Sequence, residues 1–432
     1  MRLRIDNFAK IKDADIIVDG ITVIAGENNT GKSTIGKILY AMFNSLYNLN
    51  FKIEKRKRDE IYNIYDNYIQ NLSFDEKIYF KNIRRLGSKF VNKLTKEILE
   101  MDSNSFDLET YEDKVYQFFK KNEINCAKQE HDEFIHNTFE KISYRKQNDN
   151  YKIGQELIQR YFLRTFGSQI QCLKDLDNSA NVCLTIKGKD ISICFQDNKC
   201  VEWQAEYNVL HEAFLLDDPF VLDNLSDYPF TTRGISADLE RKIIDAENDI
   251  MEGLFEAIVA KENLKDIYNV LNKVIEGDIL LQYGEGELKV DQFKEPLSFE
   301  NLSAGLKSFV LIKILLEKGI LKEKDVLILD EPEIHLHPEW QLYYAEIIVL
   351  LQRKFDLSIV VTTHSMNFLE AIELYAKKHD LISKCKFYKT NMENGLAIFE
   401  DVTDALDKIY RQMVTPSMLL DKLRYEMEED NE

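Results

Sequence analysis

The stretch Gly26-Glu27-Asn28-Asn29-Thr30-Gly31-Lys32-Ser33-Thr34 follows an apolar, β-branched run and precedes the apolar run Ile35 to Phe43. This G-x-x-x-x-G-K-S pattern, placed between a strand and a helix, is typical of a phosphate-binding loop. Its glycines let backbone N–H groups surround phosphate oxygens, while Lys32 reaches the β- and γ-phosphates and Ser33 offers its hydroxyl to Mg²⁺. We therefore predict an ATP site formed by Gly26, Asn28, Asn29, Thr30, Gly31, Lys32, Ser33 and Thr34.

A second pattern supplies the acid that such a loop needs for its metal. Val326 to Leu329 is apolar and runs directly into Asp330-Glu331-Pro332, as expected for a buried parallel strand with charge at its carboxyl end. We predict that Asp330 assists Ser33 in holding Mg²⁺, directly or through water. Glu331, one residue further on, is predicted to polarise the attacking water as the general base.

A third segment, Leu302-Ser303-Ala304-Gly305-Leu306-Lys307-Ser308, opens a strongly apolar helical run. With the two motifs above, it resembles the ABC-class ATPases of the SMC, RecF and OLD group, in which an L-S-G-G-Q-like segment begins a helix. Ala304 stands for the first glycine and Leu306 for the glutamine of that pattern. The resemblance implies that Ser303 and Gly305 bind the γ-phosphate held by a partner protomer. ATP would then clamp a head-to-tail homodimer or higher oligomer, which hydrolysis opens.

The apolar run Leu357 to Val361 ends in Thr362-Thr363-His364-Ser365, 34 residues after Asp330. The resemblance makes His364 the switch histidine, which would act beside Lys32 and Glu331 in catalysis. His335 and His337 are not predicted to bind zinc, because no matching Cys/His pair occurs elsewhere. The resemblance places them at the dimer interface instead.

The fold class that the resemblance implies is α/β: an ABC-type P-loop NTPase head with an antiparallel β side sheet and helical insertions. The wide spacing between Lys32 and Asp330 requires an interrupted core. The predicted segments are 1–48 (ATPase core with the phosphate loop), 49–165 (helical insertion), 166–235 (β-rich lobe), 236–285 (helical arm), 286–400 (second part of the core) and 401–432 (helical, acidic tail). Three short strands are predicted in the β-rich lobe, at 182–186, 190–195 and 200–203, and a break in the tail is predicted at Pro416. A glutamine loop is expected between the lobes, and Gln169 and Gln204 both remain candidates.

The predicted insertion contains a cationic stretch with no acid between residues 78 and 96. Its six cations fall mostly on one half of a helix and apolar residues on the other, so the stretch is either a solvated face or a contact for duplex DNA. The chain carries 75 acidic and 56 basic residues, a net charge of −19, which leaves room only for such local contact with a polyanion. The cations are Lys81, Arg84, Arg85, Lys89, Lys93 and Lys96.

Several features of the sequence limit the possible cellular role of the protein. No apolar run is long enough to cross a bilayer, and six cysteines without a C-x-x-C pair or a secretory leader favour a cytoplasmic protein. Only 68 residues follow His364, which is short for the nuclease module of OLD proteins. The resemblance to PtuA-like and PARIS-type ATPases favours the ATPase and sensor subunit of an anti-phage defence system, acting on a separate effector. A RecF-like DNA-repair clamp is the alternative, and a transporter cassette is a weaker third.

Overall fold

The computed structural model describes residues 1–71, 81–102, 106–122, 128–147, 150–225, 234–248, 264–282 and 285–429. Backbone alone is described for residues 69, 71, 81–87, 129, 130, 147, 247, 248, 282, 415–418, 425, 428 and 429. The chain divides into two compact units. The first comprises Met1–Tyr47 and Ile158–Glu432, and the second is Asn48–Leu157. The predicted insertion at 49–165 therefore contains almost the whole of the second unit.

One sheet of eleven strands, counted over the described residues, organises the first unit. Its spatial order is β6-β5-β4-β1-β2-β14-β13-β3-β12-β11-β7. A separate three-stranded sheet has the order β10-β9-β8. The strands are β1 (Arg2–Phe8), β2 (Ile11–Ile17), β3 (Ile21–Gly26), β4 (Ala180–Ile186), β5 (Lys189–Gln196), β6 (Lys199–Ala205), β7 (Ala213–Leu216), β8 (Asp278–Gln282), β9 (Glu285–Lys289), β10 (Leu297–Ser298), β11 (Val326–Asp330), β12 (Ser358–Thr363), β13 (Cys385–Glu393) and β14 (Leu396–Asp401).

The parallel half of this sheet, from β13 to β7, carries the predicted motifs. Strands β3, β11 and β12 are almost wholly buried, as their apolar sequences require. Asp330 lies opposite Thr362, and Thr363 lies opposite Ala25 just before the phosphate loop. The carboxyl ends of the three strands therefore meet at one edge, which is where ligands bind in open α/β sheets.

The antiparallel half runs from β6 to β2 and contains the three short strands predicted between residues 182 and 203. They are joined by two-residue turns, Lys187-Gly188 and Asp197-Asn198, whose residues all have positive φ. This half continues into the parallel half through β14, which pairs with β2 in parallel. The predicted fold class, an α/β head with an antiparallel side sheet, is confirmed.

The helices are α1 (Lys32–Leu46), α2 (Leu49–Asn71), α3 (Lys81–Leu99), α4 (Leu108–Lys121), α5 (Lys128–Gln147), α6 (Asn150–Phe166), α7 (Ser236–Asn248), α8 (Lys265–Leu271), α9 (Ala304–Glu317), α10 (Pro338–Phe355), α11 (Met366–Lys378) and α12 (Asp407–Glu429). Helices α9, α10 and α11 pack with β3, β11 and β12 in the main hydrophobic core. The second unit has a core of its own, rich in aromatic rings stacked edge to face.

Two predictions about helices differ from the structure. Within the predicted arm at 236–285, residues Asp278–Gln282 form strand β8, because they pair with Glu285–Lys289 across a short connection. The predicted break at Pro416 is absent, because α12 continues from Asp407 to Glu429. Proline removes one intrahelical hydrogen bond, and good helix formers lie a few residues before it, at 411–413, and after it, at 418–420.

None of the described helices is long and apolar enough to span a membrane.

Candidate active site

The phosphate loop joins β3 to α1 in a conformation that its glycines permit. Gly26 has φ 155°, and a Cβ built there would lie 2.1 Å from Thr390 Oγ1 on the neighbouring strand β13. Gly31 caps α1 with φ 80° and ψ 8°. Thr30 Oγ1 donates to the Glu27 carbonyl at 2.7 Å and lies 2.6 Å from Thr390 Oγ1. Strand β13 therefore holds the loop from the side, a role for Thr390 that the sequence did not reveal.

Lys32 is 3% exposed, and its ammonium group is held inside the loop. Its Nζ donates to the carbonyls of Gly26 at 2.9 Å and Glu27 at 2.7 Å. It also lies 3.4 Å from Glu331 Oε1. A buried ammonium needs such partners, and the carbonyls fix the charge at the amino end of α1, where an anion is favoured. The predicted phosphate-binding cation and the predicted general base are thus in contact.

Asp330 and Glu331 leave the end of β11 in different directions. Thr362 Oγ1 donates to Asp330 Oδ1 at 2.5 Å and accepts the Glu331 N–H at 3.0 Å. Glu331 has a left-handed φ of 48°, a conformation that is costly for a residue with a Cβ and is found preferentially at functional sites. The strained turn carries the Glu331 side chain back toward Lys32. Thr362 thus fixes both acids, although the sequence pattern gave it no role.

His364 lies beside two carboxylates. Its Nδ1 is 3.7 Å from Glu331 Oε2 and 3.7 Å from Glu333 Oε1. Glu333 is 2% exposed, and its Oε1 accepts hydrogen bonds from Thr363 Oγ1 at 2.5 Å and from the His364 N–H at 3.0 Å. Burial raises the pKa of Glu333, and these hydrogen bonds oppose the rise. Sequence reasoning identified His364 and Glu331 but not Glu333.

An open cavity of about 370 Å³ lies in front of the loop. Among the described residues that line it are three cations, Lys10, Lys32 and Lys37, and one acid, Glu331. The predicted loop residues that line it are Asn29, Thr30, Gly31, Lys32, Ser33 and Thr34. Gly26 is buried behind the loop, and Asn28 is exposed on it. Lys10 Nζ also donates to Asn29 Oδ1 at 2.5 Å.

The two glutamines that are candidates for the glutamine loop lie in different places. Gln169 lines the cavity. Gln204 lies on β6, at the edge of the antiparallel half of the sheet. The arrangement favours Gln169 as the glutamine that can reach a bound nucleotide.

Asp217 lies near Asp330, the predicted metal ligand, and was not singled out from the sequence. Leu216 of β7 lies opposite Leu329 of β11, so Asp217 and Asp330 end neighbouring parallel strands at the same edge. Desolvation raises the pKa of Asp217; Lys37 opposes the rise and Asp330 adds to it. The signal was present, because Phe214 to Asp218 repeats the pattern of an apolar run ending in two acids.

The L-S-G-G-Q-like segment, Leu302 to Ser308, leads into α9. Ser303 is its N-cap, with Oγ accepting the Leu306 N–H at 3.3 Å. Gly305 is packed so closely that a Cβ would lie 2.7 Å from the His335 carbonyl and 3.5 Å from the Trp340 ring. Among the described residues that line the phosphate-loop cavity, neither Ser303 nor Gly305 appears. A motif that binds the nucleotide of another protomer is expected to lie away from the phosphate loop of its own chain.

A surface patch flanks this segment. His335 is exposed, and its ring lies 6.0 Å from that of Phe220, which is 42% exposed. Ile334 is 54% exposed. His337 caps α10 by accepting the Glu339 N–H on Nδ1 at 3.4 Å. Within the described part of the chain, neither histidine belongs to a group with metal-ligand geometry.

The cationic stretch lies on α3, in the second unit. Lys89, Lys93 and Lys96 are exposed, whereas the opposite face is buried through Phe90 and Leu94. Lys93 Nζ donates to Asn122 Oδ1 at 2.9 Å, and Lys96 Nζ is 3.9 Å from Glu100 Oε1. The side chains of Lys81, Arg84 and Arg85 lie outside the described residues. The amphipathic helix is therefore present, and its contact with DNA stays a prediction.

The donor atoms at the site fit the predicted ligands. Mg²⁺ prefers oxygen, and Ser33 and Asp330 offer a hydroxyl and a carboxylate. The side-chain-free Gly26 and Gly31 keep the loop open for phosphate. Ser33 and Asp330 would hold the ion, which when bound neutralises charge developing on the phosphates.

Comparison with known proteins agrees with this geometry. Residues 1–369 match the model of the AAA ATPase domain family. The chain belongs to that family. It is 31% identical over 106 residues to the OLD nuclease of Thermus scotoductus, a match that covers 23% of this chain and 19% of that protein. It is also 24% identical over 211 residues to a probable ABC transporter ATP-binding protein, p29, of Mesomycoplasma hyorhinis, covering 48% of this chain and 69% of that protein.

Among solved structures, the chain is similar to an SMC head bound to the C-winged helix domain of ScpA, with a TM-score of 0.45 and 11% identity. That alignment covers 94% of this chain and 98% of the SMC head. The chain spans only a fifth of the OLD nuclease. The family membership agrees with the predicted resemblance to OLD-type ATPases.

Proposed function

We propose that the chain binds and hydrolyses ATP with Mg²⁺ and works as an ATP-clamped head-to-tail dimer. The observation that carries the proposal is one contact set: the two oxygens of Glu331 lie 3.4 Å from Lys32 Nζ and 3.7 Å from His364 Nδ1. A phosphate-binding cation, a base and an imidazole are thus collected at one sheet edge. Glu331 would take a proton from water, and His364 and Lys32 would stabilise charge on the γ-phosphate.

Two substitutions test the hydrolysis. Glu331→Gln should keep ATP binding but lower turnover by about 10²- to 10⁴-fold, because the amide cannot accept the proton. Lys32→Ala should abolish ATP binding, measured with a fluorescent ATP analogue. Unchanged affinity in Lys32→Ala, or near-normal turnover in Glu331→Gln, would contradict the assignment.

The clamp is supported by the place of Ser303 and Gly305 outside their own cavity. Chains that carry Lys32→Ala can be mixed with chains that carry Ser303→Arg. A head-to-tail dimer of these two retains at most one complete site, so activity should reappear on mixing. A Ser303→Arg chain that hydrolyses ATP normally as a monomer, or a mixture that stays inactive, would refute the clamp.

We further propose that this cytoplasmic dimer is the ATPase and sensor subunit of an anti-phage defence system that controls a separate nuclease or toxin. The support is the resemblance to OLD-type and defence ATPases. Glu331→Gln purified with ATP from its native host should bring down the effector, identified by mass spectrometry. Recovery of DNA alone would favour the second candidate, a RecF-like clamp, for which the exposed lysines of α3 are the specific observation.

A further inference from the structure

The carboxylate of Glu333 is buried and has no role of its own in the proposed hydrolysis of ATP. Its Oε1 has two hydrogen-bond donors, Thr363 Oγ1 and the His364 N–H. Its Oε2 is fully buried and has no hydrogen-bond partner within the described part of the chain. A buried carboxylate oxygen without a partner costs stability, and an apolar side chain would fill this position more cheaply.

The contacts of Glu333 form part of a ring that joins the segment after β11 to the segment after β12. Gln341 on α10 donates through Nε2 to the Glu333 carbonyl at 3.5 Å. Ser365 Oγ donates to Gln341 Oε1 at 3.2 Å, and the Ser365 N–H donates to Thr363 Oγ1 at 3.0 Å. The ring closes at Thr363, which donates to Glu333 Oε1. It fixes the backbone of His364 relative to the segment that begins with Glu331.

The imidazole of His364 is placed asymmetrically by this ring. Both carboxylates, Glu331 Oε2 and Glu333 Oε1, approach the same nitrogen, Nδ1, at 3.7 Å. Two negative oxygens near Nδ1 favour the tautomer that carries its proton there, and Nε2 is then the nitrogen free to face substrate. The His364 side chain is 43% exposed, so its orientation depends on these neighbours more than on packing.

We propose that Glu333 is a positioning residue for the switch histidine: it anchors the His364 backbone and holds the ring proton on Nδ1, so that Nε2 faces the γ-phosphate. The inference rests on the proposed ATPase function. Glu331 and Glu333 then have different tasks, since Glu331 acts on water and Glu333 acts only through His364. Leaving Oε2 without a partner lowers the stability of the fold, and such losses are common where a residue is placed for function.

The test is Glu333→Gln, which keeps an oxygen acceptor for Thr363 and His364 but removes the charge. We expect kcat to fall about 10- to 100-fold, with the KM for ATP changed less than about threefold, because placement and not binding is lost. The chain has 7 histidines, so selective ¹⁵N labelling can report the His364 tautomer, assigned by the signal missing from His364→Gln. We expect the Nδ1–H signature in the unaltered protein and its loss in Glu333→Gln. Glu323→Gln is the matched control, since that side chain is 70% exposed, and it should change none of these.

The tautomer is read without nucleotide, so the two proposals fail separately. If the tautomer changes in Glu333→Gln but the unaltered protein hydrolyses no ATP, the proposed function is refuted and the role of Glu333 stands. If the unaltered protein is active and Glu333→Gln changes neither tautomer nor kcat, the role of Glu333 is refuted. Should Glu333→Gln fail to fold, Thr363→Val removes one donor to Oε1 at nearly the same shape. It should lower kcat in the same direction, and an unchanged kcat there would overturn the inference.

Discussion

Replacing Gly26 by alanine perturbs the phosphate loop at the point where the backbone is least able to accept a side chain. The φ of 155° is a conformation essentially confined to glycine. The new Cβ would lie 2.1 Å from Thr390 Oγ1 and 2.9 Å from the Thr390 carbonyl. Rotating the threonine relieves only the first contact, because the carbonyl belongs to strand β13. The loop or the strand must therefore move.

The two costs can be separated with other glycines of the same unit. A disfavoured backbone conformation costs about 1–3 kcal/mol, and a forced overlap about 1–3 kcal/mol, so Gly26→Ala should lose about 2–6 kcal/mol of unfolding free energy. Gly188→Ala carries only the first cost, since φ is 76° and nothing lies within 4 Å of the new Cβ. Gly36→Ala carries only the second, with the Cβ 2.6 Å from Ile328 Cγ2. Its cost is offset by about 1 kcal/mol of helix propensity.

Both tryptophans, Trp203 and Trp340, lie in the first unit, so their fluorescence during urea unfolding reports on the unit that contains the loop. Gly26→Ala should shift the transition furthest and should also weaken binding of a fluorescent ATP analogue. Gly188→Ala should leave that binding unchanged, because its turn joins β4 to β5. The reasoning is refuted if Gly26→Ala costs no more than Gly188→Ala, or if it binds the analogue normally.

Four further outcomes follow from the same structure. Gly305→Ala, whose Cβ would lie 2.7 Å from the His335 carbonyl, should abolish the ATP-dependent dimer seen by light scattering while ATP still binds. Asp217→Asn should raise the Mg²⁺ concentration needed for half-maximal ATP binding by about 10-fold or more if this acid supports the metal position. Burial raises the pKa of Glu333 above its value in the unfolded chain, near 4.3. The contribution of Glu333 to the free energy of unfolding should therefore fall as the pH rises above that value. Glu333→Gln should reduce this fall in unfolding measured between about pH 4 and about pH 8. Duplex DNA bound by the cations of α3 should give a log-affinity against log-salt slope of about −3 to −5, and a flat response would remove the DNA interpretation.

Sequence reasoning succeeded where a pattern is local. The loop of Gly26 to Thr34, the strand before Asp330 and the helix after Ser303 each carry their own signal in consecutive residues, and the structure has these elements. The paired turns between β4, β5 and β6 were readable for the same reason, because turn residues alternate with short apolar strands. Parallel pairing then follows, since β3, β11 and β12 are too apolar to be exposed on either face.

Sequence reasoning failed where the site depends on residues that meet only in the folded chain. Thr362 joins Asp330 to Glu331 through contacts across two strands. Thr390 steadies a loop that lies 360 positions earlier in the sequence. No spacing rule predicts such partners, because strand register is set by the whole sheet and not by either segment. The prediction of a helix break at Pro416 is wrong for another reason. The local rule that proline ends a helix does not hold in α12, which continues through this residue.

In the proposed reaction, the division of the Glu331 carboxylate between two partners would link ATP binding to catalysis. One oxygen lies beside Lys32, and the other lies beside His364. Lys32 is also held by two loop carbonyls, so it must leave some of these partners to reach a phosphate. As it does so, Glu331 Oε1 loses its nearest cation and is left free to accept a hydrogen bond from water. Occupation of the loop would therefore expose the base, and an unoccupied site would keep it paired. The left-handed turn at Glu331 serves this arrangement, because with this backbone conformation one carboxylate lies within reach of both the lysine and the histidine.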